Sequence, residues 1–135
     1  MGRPLMPAPW AALALLLALL LAPWPVAAAE VLQVRAADLL QVGDHNRSYP
    51  VALACLALEP EQRDSATIWL RRQLPRRTRV NLRPLGSDNG VLLARVSLVN
   101  PSRADAAAPI AAGGDLAEAL IAAGFAQAAP CQPWA

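Results

Sequence analysis

The order of periodicities along the chain predicts a β-rich α+β fold: a five-stranded barrel of OB-fold type with two or three helices. Three observations carry this. Between Val31 and Leu58, stretches rich in Val, Leu and Ala follow one another with only short turn signals between them. From Asp64 the apolar residues recur at helical spacing, and two alternating stretches follow, separated by Asp88-Asn89-Gly90. A second helical pattern opens at Asp115 and stops at Gly124. A meander of three strands, a connecting helix and a closing hairpin is the order in which that small barrel is built.

Residues 1–29 stand apart from this order. Met1 to Ala29 carries a single charge, Arg3, then an unbroken apolar run from Trp10 to Ala22, two prolines, and Ala27-Ala28-Ala29 before Glu30. A basic start, a short apolar centre and small residues at the cleavage point form a secretory signal peptide, expected to be removed after Ala29. A membrane anchor needs about 20 apolar residues, and this run stops at Pro23. The expected division is signal peptide 1–29, barrel domain 30–128 and C-terminal tail 129–135. The mature protein is then expected in a periplasm, a lumen or outside the cell, with no stable membrane span. The apolar leader also accounts for a composition of 56% hydrophobic and 16% charged residues, which a small soluble domain would not show.

Cleavage removes Arg3 and no acid, leaving 11 basic and 10 acidic residues, so the mature chain is nearly neutral. The mean hides a cluster. Every basic residue is arginine, and Arg71, Arg72, Arg76, Arg77, Arg79 and Arg83 fall in one short segment. A mature chain of about 106 residues buries a single small core and gains from a covalent staple. Cys55 and Cys131 can supply one in an oxidising compartment. The alternative is a small buried Cys55 and a free thiol at Cys131. Two distant cysteines and the single His45 make no metal site.

Taken in order, Val31, Leu32 and Val34 form a first strand and Leu39, Leu40 and Val42 a second, with Asp38 at the bend between them. Gly43 to Arg47 turns the chain into a long central strand, read as continuous through Val51, Leu53 and Cys55 to the acidic turn Glu59-Pro60-Glu61. Asn46-Arg47-Ser48 matches a glycosylation sequon, a tripeptide common by chance. Ala66, Trp69, Leu70 and Leu74 then mark one face of a helix, with Asp64 or Ser65 as its N-cap and Pro75 as its stop.

The next two strands predict their own register. Thr78, Val80 and Leu82 alternate with Arg77, Arg79, Asn81 and Arg83, so the arginines share one face. Leu92, Ala94, Val96 and Leu98 must face the core with Val80 and Leu82, which requires Leu82 opposite Val96 and hence Arg83 opposite Arg95. A three-residue loop with Gly90 left-handed satisfies that parity. Like charges so placed are either screened by solvent or bridged by an anion. Asn100 to Gly114, rich in Ala, Pro and Gly, reads as a surface excursion. The last helix is capped by Asp115 with Glu118 three residues on, stopped by Gly124, and expected to fold Phe125 back on Leu120.

Val34 to Val42, the stretch around Arg47 to Glu61, Asn89-Gly90-Val91-Leu92-Leu93-Ala94 and the helix Leu116 to Ala126 together resemble the staphylococcal-nuclease-like (thermonuclease) family, over Val31 to about Ala128. The resemblance implies a calcium-dependent phosphodiesterase whose carboxylates hold the cation and whose arginines stabilise the charged phosphorus centre. Carried over by position, Asp38 matches the first metal carboxylate. The first arginine falls on Ala52, the second aspartate on Ala57 and the second arginine on Val91; the Pro-Glu pair falls on Glu59-Pro60, with Glu61 one place late. The layout is that of the family and most of the catalytic side chains are gone.

The expected function is therefore an exported, non-catalytic nuclease-like binding or accessory module, meeting an unknown protein partner or an anionic ligand. The arginines Arg77, Arg79, Arg83 and Arg95 are its candidate anion or nucleic-acid contacts. The alternative is residual cleavage of DNA or RNA with Asp38, Glu59 or Glu61, and only that alternative calls for Ca2+; no other cofactor is expected. Nucleic acid would need aromatic platforms. Tyr49, Trp69, Phe125 and Trp134 are few, and Trp69 and Phe125 suit a core, which favours a protein or generic anionic partner.

Overall fold

The computed structural model describes residues 29–103 and 108–131. The signal-peptide expectation for residues 1–28 and the Trp134 end of the tail lie outside the described residues. The strands are β1 (Ala29–Ala36), β2 (Leu39–Asp44), β3 (Arg47–Leu53), β4 (Leu56–Leu58), β5 (Thr78–Asp88), β6 (Val91–Leu98) and β7 (Ala126–Ala128). A 3-10 turn (Pro60–Gln62) leads into α1 (Arg63–Gln73), and α2 (Leu116–Ala122) precedes β7.

β1, β2, β3, β6 and β5 close in that order into a barrel, as the OB fold requires. β3 and β6 run parallel from Val51↔Leu92 to Leu53↔Ala94. β1 closes on β5 through Ala29↔Val80, Glu30↔Arg79 and Val31↔Thr78. Period-two alternation fills the interior with Val31, Leu40, Val42, Val51, Val80, Val96 and Leu98, none more than 1% exposed. Leu70 from α1 and Leu116 and Leu120 from α2 seal this core, each burial contributing about 1.5–3 kcal/mol.

The long central strand is two strands. Cys55 takes a left-handed backbone, φ 69°, which ends the β3 ladder and sends β4 out of the barrel to pair with β7, Leu56↔Ala128 to Leu58↔Ala126. A disulfide joins Cys55 to Cys131, and Ala129 N–H donates to the Cys55 carbonyl (3.1 Å), so the tail is tied down where the strand breaks.

The hairpin has the expected pairing by a different route. Leu82 lies opposite Val96 and Arg83 opposite Arg95, but the loop holds two residues, Asn89 (φ 50°) and Gly90 (φ 79°), since Asp88 pairs with Val91. Two left-handed residues suit the twist of a tight hairpin. The extra residue that restores the parity is a bulge between Pro84 and Gly86.

The helices follow their patterns with differences at the ends. α1 starts at Arg63, continuing from the 3-10 turn, so neither Asp64 nor Ser65 caps it. Its buried face includes Thr67 and Gln73 beside Ala66 and Leu70. α2 is capped as read, Asp115 Oδ1 accepting from Glu118 N–H (3.0 Å), and Gly124 is left-handed at φ 85°. Phe125 donates its N–H to the Leu120 carbonyl while its ring packs on Trp69, centroids 5.6 Å apart. The excursion before α2 is anchored at Ser102 and Ile110, both buried. Ser102 Oγ donates to Gln73 Oε1 (2.7 Å) and accepts from Ile110 N–H (2.7 Å).

Candidate functional site

Asp38 lies in the two-residue turn between β1 and β2, docked on α1. Ala37 N–H donates to Thr67 Oγ1 (3.0 Å), whose hydroxyl donates to the Arg63 carbonyl (2.8 Å). The same helix turn brings Arg63 Nη1 to 3.2 Å from Asp38 Oδ1, both side chains partly exposed. The carboxylate matching the nuclease family's metal ligand is thus an ion-pair partner. Ala52 is flanked by Leu39 and Leu93, Ala57 is exposed opposite Gln127 in the β4–β7 pair, and Val91 opens β6. Glu59 precedes the 3-10 turn, its N–H donating to the Phe125 carbonyl (3.1 Å), and Glu61 is exposed within that turn.

Calcium takes six to eight oxygen ligands. Among the described residues no three acidic, His or Cys side chains group together, and the one family-matching carboxylate faces a guanidinium. These residues do not fit the ion.

The arginines split into separate environments. Arg79 is directly across from Glu30 on the β1–β5 ladder. Arg83 is exposed opposite Arg95, yet Arg95 turns away to acids: its Nε is 3.1 Å from Asp115 Oδ2 and its Nη2 3.4 Å from Glu118 Oε1. The hydrogen bond and charge of Asp115 push the Arg95 guanidinium above its ordinary pKa, so it stays charged. A recess of about 220 Å3 lies here, between Arg83, Arg95, Asn81 and Ser97. From α1, Arg71 Nε donates to the Val34 carbonyl (3.0 Å), a contact that fastens the helix to β1.

Arg77 belongs elsewhere. It precedes β5 in a left-handed conformation, φ 72°, and its N–H donates to the Val31 carbonyl (2.7 Å), which fixes the α1–β5 connection beside the start of β1. There it joins Arg76, Glu30 and the β2–β3 turn, with Asp44, His45 and Arg47, around an open groove of about 570 Å3. Leu32 lines the same groove and packs so close to Gly43 that a Cβ there would come within 3.0 Å of it. A second hollow of about 440 Å3 shares Asp44, His45 and Arg47 and continues to Tyr49 and Leu92. Arg47 and Arg76 were not legible as site residues, because only the β2–β3 turn and the Arg77–Val31 hydrogen bond bring them together.

Among the described residues no helix is long and apolar enough to cross a membrane. No protein-family model and no curated protein matches the chain.

Proposed function

We propose that the protein is an exported, non-catalytic nuclease-like barrel that binds an anionic ligand through its arginines. One contrast carries the reading. At one end of the barrel Asp38 is held by Arg63; Ala52, Ala57 and Val91, the last beside the β5–β6 turn and not near Asp38, stand where the nuclease family has catalytic side chains. At the other end Arg47, Arg76 and Arg77, none within 4.0 Å of a carboxylate among the described residues, line a groove. Losing one charged group from a preorganised site costs a factor of about a hundred or more in rate, and several are missing.

Nuclease likeness is supported by the barrel order, the position of Asp38 in the first turn and the capped last helix. Export is supported by the Cys55–Cys131 disulfide, since such bonds persist in oxidising compartments, together with the leader-like composition of residues 1–29. The test is an assay of the oxidised protein with DNA or RNA and calcium beside an active thermonuclease. No cleavage is expected; cleavage that disappears in Asp38→Ala overturns the non-catalytic reading. Sequencing the exported protein should place its first residue at Glu30, and a retained leader overturns the export reading.

A further inference from the structure

Three arginines from two distant parts of the chain line one groove at the end of the barrel away from Asp38. Strand β2 separates the two ends, roughly 20 Å for six extended residues. Arg47 comes from the β2–β3 hairpin, Arg76 and Arg77 from the connection between α1 and β5.

The groove also holds two carboxylates, yet neither neutralises these arginines. Asp44 Oδ1 lies 3.7 Å from His45 Nε2, and Glu30 stands across the ladder from Arg79. No carboxylate among the described residues lies within 4.0 Å of the Arg47, Arg76 or Arg77 guanidinium. Two of the lining residues, His45 (φ 54°) and Arg77 (φ 72°), occupy left-handed backbone that glycine would take without strain. Such strain, about 1–2 kcal/mol per residue, persists where the surrounding structure holds it, as the Arg77 N–H bond to the Val31 carbonyl does.

Guanidinium forks match the oxygens of a phosphate, and carboxylates accept hydrogen bonds from hydroxyls. The volume of about 570 Å3 is that of a small-molecule site and exceeds the needs of a bare inorganic ion. We infer that this groove binds a small phosphomonoester bearing hydroxyls, its phosphate against Arg47, Arg76 and Arg77 and its hydroxyls toward Glu30 and Asp44. The inference rests on the anion-binding reading above and gives it a place and a ligand class. It also moves the site from the β5–β6 face to the barrel end.

The experiment is calorimetric titration of the purified, oxidised chain at low salt with ribose 5-phosphate, a nucleoside monophosphate and inorganic phosphate. Saturable one-to-one binding of ribose 5-phosphate is expected. Tenfold or greater weakening is expected for Arg47→Gln combined with Arg76→Gln, since a charge-assisted hydrogen bond is worth at least about that factor. Arg83→Gln should bind as the parent does. Glu30→Gln should weaken ribose 5-phosphate and strengthen inorganic phosphate, which gains from losing a like charge and has no sugar to lose. A nucleoside monophosphate binding more tightly than ribose 5-phosphate assigns the second hollow, beside Tyr49, to the base; equal affinity assigns the ligand to the sugar phosphates.

In the parent chain, amide resonances of residues 43–48 and 76–77 should move on titration, a measurement that needs no variant to fold. Weakening by Arg83→Gln alone overturns the groove and leaves the anion-binding reading standing. Failure of every probe to bind overturns both.

Discussion

Arg83 stands directly across the β5–β6 ladder from Arg95, and the two do not share a fate: Arg95 reaches Asp115 at 3.1 Å while Arg83 points into solvent. Asp115 is also the N-cap of α2, through Glu118 N–H at 3.0 Å. One carboxylate therefore neutralises a cation on the sheet and satisfies a helix end, coupling α2 to β6.

That coupling separates two substitutions that look alike in the sequence. Arg83→Gln should leave stability unchanged or raise it slightly, because it relieves a cross-strand repulsion worth a few tenths of a kcal/mol. Arg95→Gln should cost about 1 kcal/mol, a charged hydrogen bond discounted for the partial exposure of Arg95. Urea titration of both variants checks this. Equal effects of the two changes would show that the Asp115 contact does not hold in solution.

The facing of Arg83 and Arg95 was readable because strand parity is rigid: once Val80 and Val96 must point inward, the pairing follows. What supplied the parity was not readable, since a bulge near Leu85 and a three-residue loop shift the register alike. The caps of α2 were legible because Asp115, Glu118 and Gly124 act within one helix. The Asp38–Arg63 and Arg95–Asp115 pairs join residues 25 and 20 positions apart and depend on how helices dock. The break at Cys55 was hidden for a related reason. An apolar run that changes sheets keeps its alternation, and only the pairing of Leu56 to Leu58 with β7 reveals the departure.

Thr67 offers a test of how α1 is fastened. Its Oγ1 accepts the Ala37 N–H at 3.0 Å within the buried interface. Thr67→Val preserves shape and leaves that backbone donor without a partner, at a cost of about 1–3 kcal/mol. Thr67→Ser should recover most of it. Chemical denaturation of the three proteins decides; a Val variant as stable as the parent would remove the hydroxyl from the account.

The disulfide closes a loop of 76 residues. Chain-entropy reasoning gives about 4–5 kcal/mol for a loop of this length, less any strain in the folded state. Cys131→Ser should lower the unfolding free energy by a few kcal/mol, and reducing the parent should bring it to the variant's value. Non-reducing peptide maps should find Cys55 and Cys131 in one fragment, and full thiol labelling of the exported protein would rule the bond out.

Tyr49 is the chain's one tyrosine, so its titration can be followed without interference from another phenol. Burial first, then the Asp44 carboxylate, push its phenol above the ordinary value of 10.0, with Arg47 opposing. The neutral form is the one the fold favours. Below the unfolded value both states hold the proton and its contribution to stability is complete. As pH rises from that value through the higher folded one, the unfolded chain releases the proton first, so stability falls across this window. Ultraviolet difference spectroscopy should find a midpoint above 10.0 in the folded protein and the ordinary value in denaturant. Asp44→Asn should bring the folded midpoint down, since one of its causes is gone, and Tyr49→Phe should flatten the alkaline loss of stability. A folded midpoint at or below the denatured one would mean that Arg47 outweighs burial and Asp44 together.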